Sequence, residues 1–239
     1  YQRDVVSERI AESWEISDRL DGMSIVANGP YKGATLRELV QRMGQDLLGK
    51  GQLGSSFPLL IKILDAKTHL SVQVHPNDQT APLVQGEPKT EMWYVLDASH
   101  EAGVFAGVSE DFSSNDLYKG CFAEKLKFTK VASHEAIYIP GGCVHAIGAG
   151  CLILEVQQNS DTTYRIYDWG RNGVDGKPRE LHIEKASQVL DKTLSGIKTE
   201  PQIISQSSDF TLWQVVECPY FSVRRLKLSG IYSLSSQKN

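Results

Sequence analysis

Cysteine is scarce in this sequence. The four cysteines, Cys121, Cys143, Cys151 and Cys218, form no Cys-x-x-Cys pair. This spacing excludes a zinc ribbon and a thioredoxin-like redox motif. Four cysteines in 239 residues are also too few for a disulfide scaffold. We therefore interpret them as reduced thiols and expect a cytoplasmic protein.

The chain also lacks an excess of positive charge. It has 25 Lys and Arg against 29 Asp and Glu, a formal net charge of −4. A protein whose main partner is nucleic acid is usually basic, so we expect no nucleic-acid partner. With 41% hydrophobic and 23% charged residues, the composition is that of a globular protein rather than a disordered one.

No secretory leader and no convincing membrane span are visible. Residues 1–23 are charged throughout. Residues 136–154 contain no Asp, Glu, Lys or Arg, but Pro140 and several glycines interrupt them. Two buried strands joined by turns fit this pattern better than a membrane helix, so we expect no membrane contact. Since the chain does not begin with Met and ends just after a strand-like run, we expect residues to be missing at its termini.

Short strand-like segments separated by Gly, Pro, Asn and Asp dominate from Phe57 onward. We predict strands at 58–64, 70–75, 91–96, 103–108, 121–131, 136–139, 151–157, 164–167, 211–216 and 221–228. Their regular spacing favours a sandwich or barrel over a parallel sheet with alternating helices. Helical patterns are predicted from Thr35 to a C-cap at Gly44 and over 181–194.

Four polar residues have the pattern of a metal site. Gln73 and His75 are two apart in an alternating strand and therefore share a face. Glu91 opens the next strand, and His145 follows a Pro-Gly-Gly turn. A divalent transition metal such as zinc accepts this mixture of nitrogen and oxygen ligands and keeps positions open for water or substrate. A single strand histidine is usually structural, so the prediction rests on the combination.

The sequence resembles the type I mannose-6-phosphate isomerases (phosphomannose isomerases) of the cupin superfamily. The turn and histidine at 140–145 match the second cupin motif, Pro-x-Gly-x-x-His. Four longer motifs carry the closer resemblance, in the family's order: IKILDAKTHLSVQVHP at 61–76, KTEMWY at 89–94, IPGGCVH at 139–145 and LEVQQNSDTTYRIYD at 154–168. The similarity extends over 13–221, and the short interval from Glu91 to His145 resembles the short bacterial form.

The resemblance implies a mainly β fold, a cupin (jelly-roll) β-barrel with a few peripheral helices. We expect an N-terminal segment at 1–56 that packs on the barrel and a metal-binding core at 57–170. A helical connector at 171–200 and the start of a second, apparently incomplete β portion at 201–239 would follow. The resemblance implies one zinc ion per chain on Gln73, His75, Glu91 and His145. Gln73 is the weakest of these because an amide is a poor ligand, and water could replace it.

The same resemblance implies the catalytic and substrate-binding residues. The family's catalytic arginine corresponds to Arg165, which could stabilise an enediolate or form an ion pair with Asp161 or Asp168. Lys89 could be a general base, a phosphate anchor or a solvated loop residue. Glu155, inside an apolar run, could exchange protons or hydrogen-bond in the core. Ser71 would line the cleft with them.

The implied activity is a metal-dependent interconversion of D-mannose 6-phosphate and D-fructose 6-phosphate by proton transfer through a cis-enediol. The implied partner is a small phosphorylated hexose, bound by a monomer or homodimer. Two alternatives stay open at this point. One is another metal-dependent cupin enzyme, such as a dioxygenase or epimerase, because a two-His, one-carboxylate set also suits iron oxygenases. The other is a non-catalytic sugar-binding cupin.

Overall fold

The structure is a computed structural model, and it describes residues 11–49, 54–119, 122–173, 175–230 and 232. Cys121, the first residue of one predicted strand, lies outside this part of the chain. The strands are β1 Glu12–Ile16, β2 Leu59–Ala66, β3 Val72–Val74, β4 Glu91–Ala98, β5 Gly103–Val108, β6 Leu126–Lys130, β7 Ala136–Ile139, β8 His145–Ile147, β9 Cys151–Gln158, β10 Tyr164–Tyr167, β11 Ile197–Thr199, β12 Gln202–Gln206, β13 Phe210–Glu217 and β14 Ser222–Leu228. The α-helices are α1 Leu36–Met43, α2 Gln45–Leu48 and α3 Ile183–Val189, and short 3₁₀ helices occupy Ala81–Val84, Ser114–Tyr118 and Phe122–Lys125.

Three antiparallel sheets organise the strands. The first sheet has the order β1-β2-β9-β4-β7-β11, the second β10-β3-β8-β5-β6, and the third β12-β13-β14. Neighbouring strands are often distant in sequence, as where β2 pairs with β9 and β3 pairs with β8. Together with the few helices, these sheets confirm the predicted mainly β architecture.

The first and second sheets face each other across a shared interior. Strand side chains alternate between the two faces of a sheet, so every second residue points inward. Trp93 and Ile153 of the first sheet pack with Val104 and Ile147 of the second in one buried cluster. Burial of these side chains holds the two sheets together.

The outer faces of both sheets are covered as well. Val72 and Val74, on the outer face of the second sheet, pack with Ala186 and Val189 of α3 and with residues of the 3₁₀ helices. On the other side of the molecule, Met92 of the first sheet packs with Val216 and other residues of the third-sheet region. The structure is therefore layered, with helices on one outer face and a small sheet on the other.

Helix α1 follows from its capping residues. The Thr35 side chain accepts a hydrogen bond from the Glu38 backbone N–H, and the Glu38 carboxylate accepts one from the Thr35 backbone. This reciprocal arrangement satisfies N–H groups that the first turn leaves free. The helix ends at Gly44, whose φ of 49° favours glycine. The predicted start and end of this helix are confirmed.

Two predicted elements differ from the structure by more than a few terminal residues. The helix predicted over 181–194 is shorter, Ile183–Val189, because Leu190 is already extended and the Asp191 side chain binds the Thr193 N–H in a turn. Leu194 still packs against the core, which explains its helical spacing in the sequence. The strand predicted over 121–131 begins only at Leu126, since Phe122–Lys125 forms a 3₁₀ helix.

Four short strands were not predicted at all: β1, β8, β11 and β12. Of these, β1 pairs with β2 and β11 pairs with β7, so segments on either side of the predicted core extend the first sheet. The predicted division into an N-terminal segment, core, connector and C-terminal portion stays a prediction. Among the described residues, no helix combines the length and apolar character that a bilayer crossing requires.

Candidate metal centre

Two imidazoles and one carboxylate converge between the first and second sheets. His75 follows β3, His145 opens β8, and Glu91 opens β4 on the opposite sheet. The Nε2 atoms of His75 and His145 each lie 3.4 Å from a Glu91 carboxylate oxygen. One donor atom from each residue lies within 4.8 Å of the others, and all three side chains are buried. This spacing allows one small cation to contact all three.

Hydrogen bonds orient both imidazoles toward this centre. The Nδ1 of His75 is 2.9 Å from the Thr162 carbonyl oxygen, and the Nδ1 of His145 is 2.9 Å from that of Cys143. A carbonyl only accepts, so each Nδ1 carries the hydrogen and each Nε2 keeps its lone pair. Both Nε2 atoms and both Glu91 oxygens are buried without a hydrogen bond in the described structure. Backbone carbonyls orient metal-binding histidines in this way.

Burial and neighbouring charges keep these groups in the protonation states that bind a metal. Desolvation lowers the pKa of His75 to about 3 and also lowers the pKa of His145. Both rings are therefore neutral at pH 7. Burial alone would raise the pKa of Glu91, but the interactions of its carboxylate with Lys89, His145 and His75 together outweigh burial and hold that pKa well below the usual range. Neutral imidazoles and an ionised carboxylate in a dry site suit a divalent metal ion.

Lys89 connects this centre to a cavity. Its Nζ lies 3.4 Å from Glu91 Oε2, and its side chain is buried. Lys89 is therefore not the solvated loop residue that was one of the alternatives. It lines a cavity of about 450 Å³. Small-molecule sites typically have volumes of about 300–1,000 Å³, so the cavity has a suitable size for a sugar phosphate.

Ser71 and Gln73 form part of the wall of this cavity. In the second sheet, Gln73 pairs with His145 of β8 on one side and with Arg165 of β10 on the other. It therefore lies between a residue of the metal centre and the predicted catalytic arginine. Because Gln73 and His75 point to the same face, the amide faces the interior, as predicted from the sequence.

Arg165 lines the cavity from β10. Its Nη1 donates to the Glu180 carbonyl oxygen at 2.9 Å. Of the two ion-pair partners considered for Arg165, Asp168 is bound by Arg171 and Arg179. Burial lowers the pKa of Arg165, with a contribution from nearby Arg179. Because an arginine pKa starts far above neutrality, the guanidinium stays charged.

Glu155 lines the same cavity from β9. Its Oε2 accepts from the Trp93 indole at 3.1 Å, and its Oε1 lies 3.7 Å from the Lys62 ammonium. Burial, followed by repulsion from Glu91, raises the pKa of Glu155, in agreement with the sequence-based expectation. A raised pKa makes a carboxylate a stronger proton acceptor than an ordinary glutamate.

Sequence reasoning missed three residues at this site. Lys62 lines the cavity and is buried, and its position as a charge inside the apolar run of β2 could have revealed it. Arg179 also lines the cavity, but no sequence pattern marks it. Gln157 is directly opposite Glu91 in the sheet, and its buried Oε1 makes no hydrogen bond in the described part of the chain.

Comparison with known proteins adds independent evidence. The family model of the phosphomannose isomerase type I catalytic domain matches residues 4–119. Mannose-6-phosphate isomerase ManA of Bacillus subtilis is 42% identical over 240 residues, which cover 98% of this chain and 75% of that protein. The match therefore extends over nearly the whole chain.

Solved structures show the same relationship. The crystal structure of mannose 6-phosphate isomerase from Bacillus subtilis matches with a TM-score of 0.84 and 37% identity, covering 92% of this chain and 71% of that one. A zinc-bound mannose 6-phosphate isomerase shares the fold, with a TM-score of 0.59 and 15% identity over 86% of this chain and 75% of that one. A metal cofactor is consistent with these matches and with the His75, Glu91 and His145 cluster.

Proposed function

This chain belongs to the type I phosphomannose isomerase family, and from this premise we propose how its cleft interconverts D-mannose 6-phosphate and D-fructose 6-phosphate. The single observation that carries the proposal is the position of Lys89. Its ammonium contacts Glu91 of the metal centre and also lines the cavity that holds Arg165 and Glu155. Metal-binding donors and charged groups thus meet in one small-molecule site.

We assign one zinc ion per chain to His75, Glu91 and His145, with Gln73 as a further ligand or the neighbour of a bound water. The zinc-bound relative and the neutral, oriented imidazoles support this assignment. When bound, zinc would supply a Lewis acid that polarises the sugar carbonyl. A two-His, one-carboxylate set could also serve an oxygenase, but membership of the isomerase family favours the isomerase.

Arg165 stabilises negative charge during the reaction. Isomerisation removes a proton from one carbon of the sugar, and charge then develops on the carbonyl oxygen. A fixed guanidinium beside that oxygen lowers the barrier because it is already oriented before charge develops. The Nη1 bond to Glu180 fixes one side of the group, and its buried Nε has no acceptor among the described residues.

Lys89 and Glu155 are assigned to proton transfer and substrate positioning. One base must take the proton from C2 of the aldose and return it to C1, while a second proton moves between the two oxygens. Glu155 suits the first task because its carboxyl group lines the cavity and its raised pKa makes it a stronger base than an ordinary glutamate. Lys89 and Ser71, which line the same cavity, would hold the sugar hydroxyls or the phosphate.

The proposal also includes the compartment, the partner and the oligomeric state of the enzyme. Cys143 and Cys151 are buried free thiols, which fits a reducing compartment such as the cytoplasm. The proposed partner is a small phosphorylated hexose, and the groups assigned to the reaction line one cavity. We propose that the enzyme is a monomer or a homodimer.

A coupled spectrophotometric assay of mannose 6-phosphate conversion tests the proposal. We expect turnover that disappears with a chelator and returns with zinc, and about one zinc per chain by elemental analysis. His145→Ala should lose both zinc and turnover. His100→Ala is the matched control, because that histidine is 93% exposed and lies outside the cleft.

Three outcomes would contradict the proposal in different ways. Folded, zinc-loaded protein without turnover would overturn the isomerase assignment. Turnover that persists in a rigorously metal-free sample would overturn the metal requirement. Full zinc binding by His145→Ala would move the metal site away from the three residues assigned here.

A further inference from the structure

Arg165 lies at the edge of its sheet. Strand β10 is the last strand of the second sheet, and Arg165 pairs with Gln73 of β3 on the inner side. The pairing becomes irregular immediately after Arg165. An edge strand with a broken register has few backbone contacts to hold it, so the position of this arginine needs another source of support.

His182 supplies that support on the outer side of β10. Its backbone N–H donates to the Arg165 carbonyl oxygen at 2.7 Å. Its imidazole Nδ1 accepts from the Arg165 backbone N–H at 3.1 Å. In an antiparallel sheet, opposite residues exchange both bonds through backbone groups. Here one backbone group is replaced by a side-chain nitrogen, so His182 acts in place of a missing strand.

The segment that carries His182 also holds the arginine side chain. The Glu180 carbonyl oxygen accepts from Arg165 Nη1 at 2.9 Å. The segment is anchored at both ends. On one side, Arg179 binds the buried Asp168 carboxylate, and on the other, α3 buries Ala186 against the second sheet. The backbone and the guanidinium of Arg165 are thus fixed by the same three-residue segment.

We infer that His182 is a positioning residue for Arg165, and that its Nδ1 lone pair holds the guanidinium in register with the cleft. This inference rests on the proposed function, because it gives Arg165 its role in the reaction. A backbone N–H only donates, so Nδ1 must be unprotonated and Nε2 carries the hydrogen. Nε2 lies on the side of Glu180, and the side chain is 29% exposed.

Two substitutions at His182 separate the lone pair from simple packing. His182→Leu removes the acceptor and keeps an apolar side chain, so we expect kcat for mannose 6-phosphate to fall about 10- to 100-fold. His182→Asn places an amide oxygen near the Nδ1 position and should recover most of this loss. The zinc content of both variants should equal that of the wild-type enzyme.

An Arg165→Ala background distinguishes positioning from a general structural effect. If His182 acts through Arg165, His182→Leu should change the residual kcat of the Arg165→Ala enzyme by less than about twofold, because coupled residues are not additive. KM should change less than kcat in the single variant, since the interaction is gained mainly in the transition state.

His69 provides a matched control, because its Nδ1 also accepts a backbone N–H, that of Ala149, at 2.9 Å. His69→Leu should lower the melting temperature to a similar extent and leave kcat within twofold. The inference would be overturned by full kcat in His182→Leu, by an equal loss in His182→Asn, or by an undiminished loss in the Arg165→Ala background. Absence of turnover in the wild-type enzyme would instead reject the proposed function.

Discussion

The interior between the two large sheets has two halves built from the same strands. The polar half is the cavity lined by Lys89, Glu155 and Arg165 together with the adjoining metal centre, and the apolar half is the buried cluster that contains Val95 and Ile153. Strand β2 points Lys62 into the polar half and Ala66 into the apolar half. Strand β9 does the same with Glu155 and Ile153. The backbone geometry is shared, so side-chain chemistry alone makes one half a core and the other a reaction site.

The comparison shows how stability and function are divided along a strand. The apolar half gains free energy from burial. In the polar half, both carboxylate oxygens of Glu91 and the Nε2 atoms of His75 and His145 are buried without hydrogen bonds among the described residues. Such groups cost free energy unless a cation or a ligand satisfies them. The polar half is therefore stable only because the apolar half supports it.

Removing a charge at the metal centre should have the largest effect. We expect Glu91→Gln to reduce kcat/KM by about 10³-fold, equivalent to about 4 kcal/mol of transition-state stabilisation, because a neutral amide is a poor metal ligand. Steady-state kinetics would show the loss of activity, and elemental analysis would show the loss of bound zinc. Glu101→Gln is the control, since that side chain is 72% exposed. Retention of zinc with normal activity would refute the assignment of Glu91.

An apolar substitution in the other half should affect stability instead. Ile153 is fully buried in the apolar cluster, and Ile153→Ala should lower the free energy of unfolding by about 3 kcal/mol through lost burial and the cavity left behind. Urea denaturation measures this change. Turnover per folded molecule should stay unchanged. Ile203→Ala, at a position 56% exposed, should have little effect on either quantity.

Removing charges from the polar half should not lower the free energy of unfolding, in contrast to the loss expected for Ile153→Ala. Lys62 and Glu155 form a buried ion pair, and such pairs often stabilise no better than apolar residues of similar size. We expect the double variant Lys62→Met with Glu155→Gln to have a free energy of unfolding equal to that of the wild-type protein or about 1 kcal/mol higher. The same variant should lose turnover. A destabilisation of several kcal/mol would show that this pair belongs to the stabilising core.

Removing the paired charge of Asp168, beside the cleft, should have the smallest effect on the free energy of unfolding. That effect should depend on pH. Burial alone would raise the pKa of Asp168, but hydrogen bonds from Arg179 and Arg171 outweigh it and lower that pKa. Because the folded-state pKa lies below the unfolded value, the stabilisation is complete above about pH 4. It is lost as the pH falls further, through the folded-state pKa.

Asp168→Asn should therefore lower the free energy of unfolding by about 1 kcal/mol at pH 7, since solvent screens the partly exposed arginines. The difference from the wild-type protein should shrink below pH 4, which urea denaturation at several pH values would show. A difference that stays constant down to pH 2 would indicate that packing, rather than the ionised carboxylate, accounts for the effect.

Strands with strong alternation could be predicted from the sequence, and strands defined by their neighbours could not. The bounds of β5, β7 and β10 agree with the predicted strands. Strand β8 has three residues between glycine turns and exists because it pairs with β3 and β5. Strand β1 is partly exposed and carries two glutamates, so its pattern is weak without β2 beside it.

At the candidate site too, residues within sequence motifs could be predicted, whereas residues placed by contacts distant in the chain could not. The motifs that resemble the isomerase family include each predicted residue, and the structure gathers His75, Glu91 and His145 into one cluster. Arg179 was missed because it enters the cleft through a loop, where side-chain direction follows no periodic rule. The role inferred for His182 also depends on an edge contact between segments 17 residues apart.

The sequence by itself determined the local features of this protein: the capped helix α1, the alternation that places Gln73 and His75 on one face, and the residue types suited to a metal. These follow from interactions between residues close in the chain. Only the tertiary structure decided that Glu91 of one sheet lies 3.4 Å from two histidines of the other. That arrangement depends on strand register and sheet packing, which arise when apolar side chains distant in sequence are buried together.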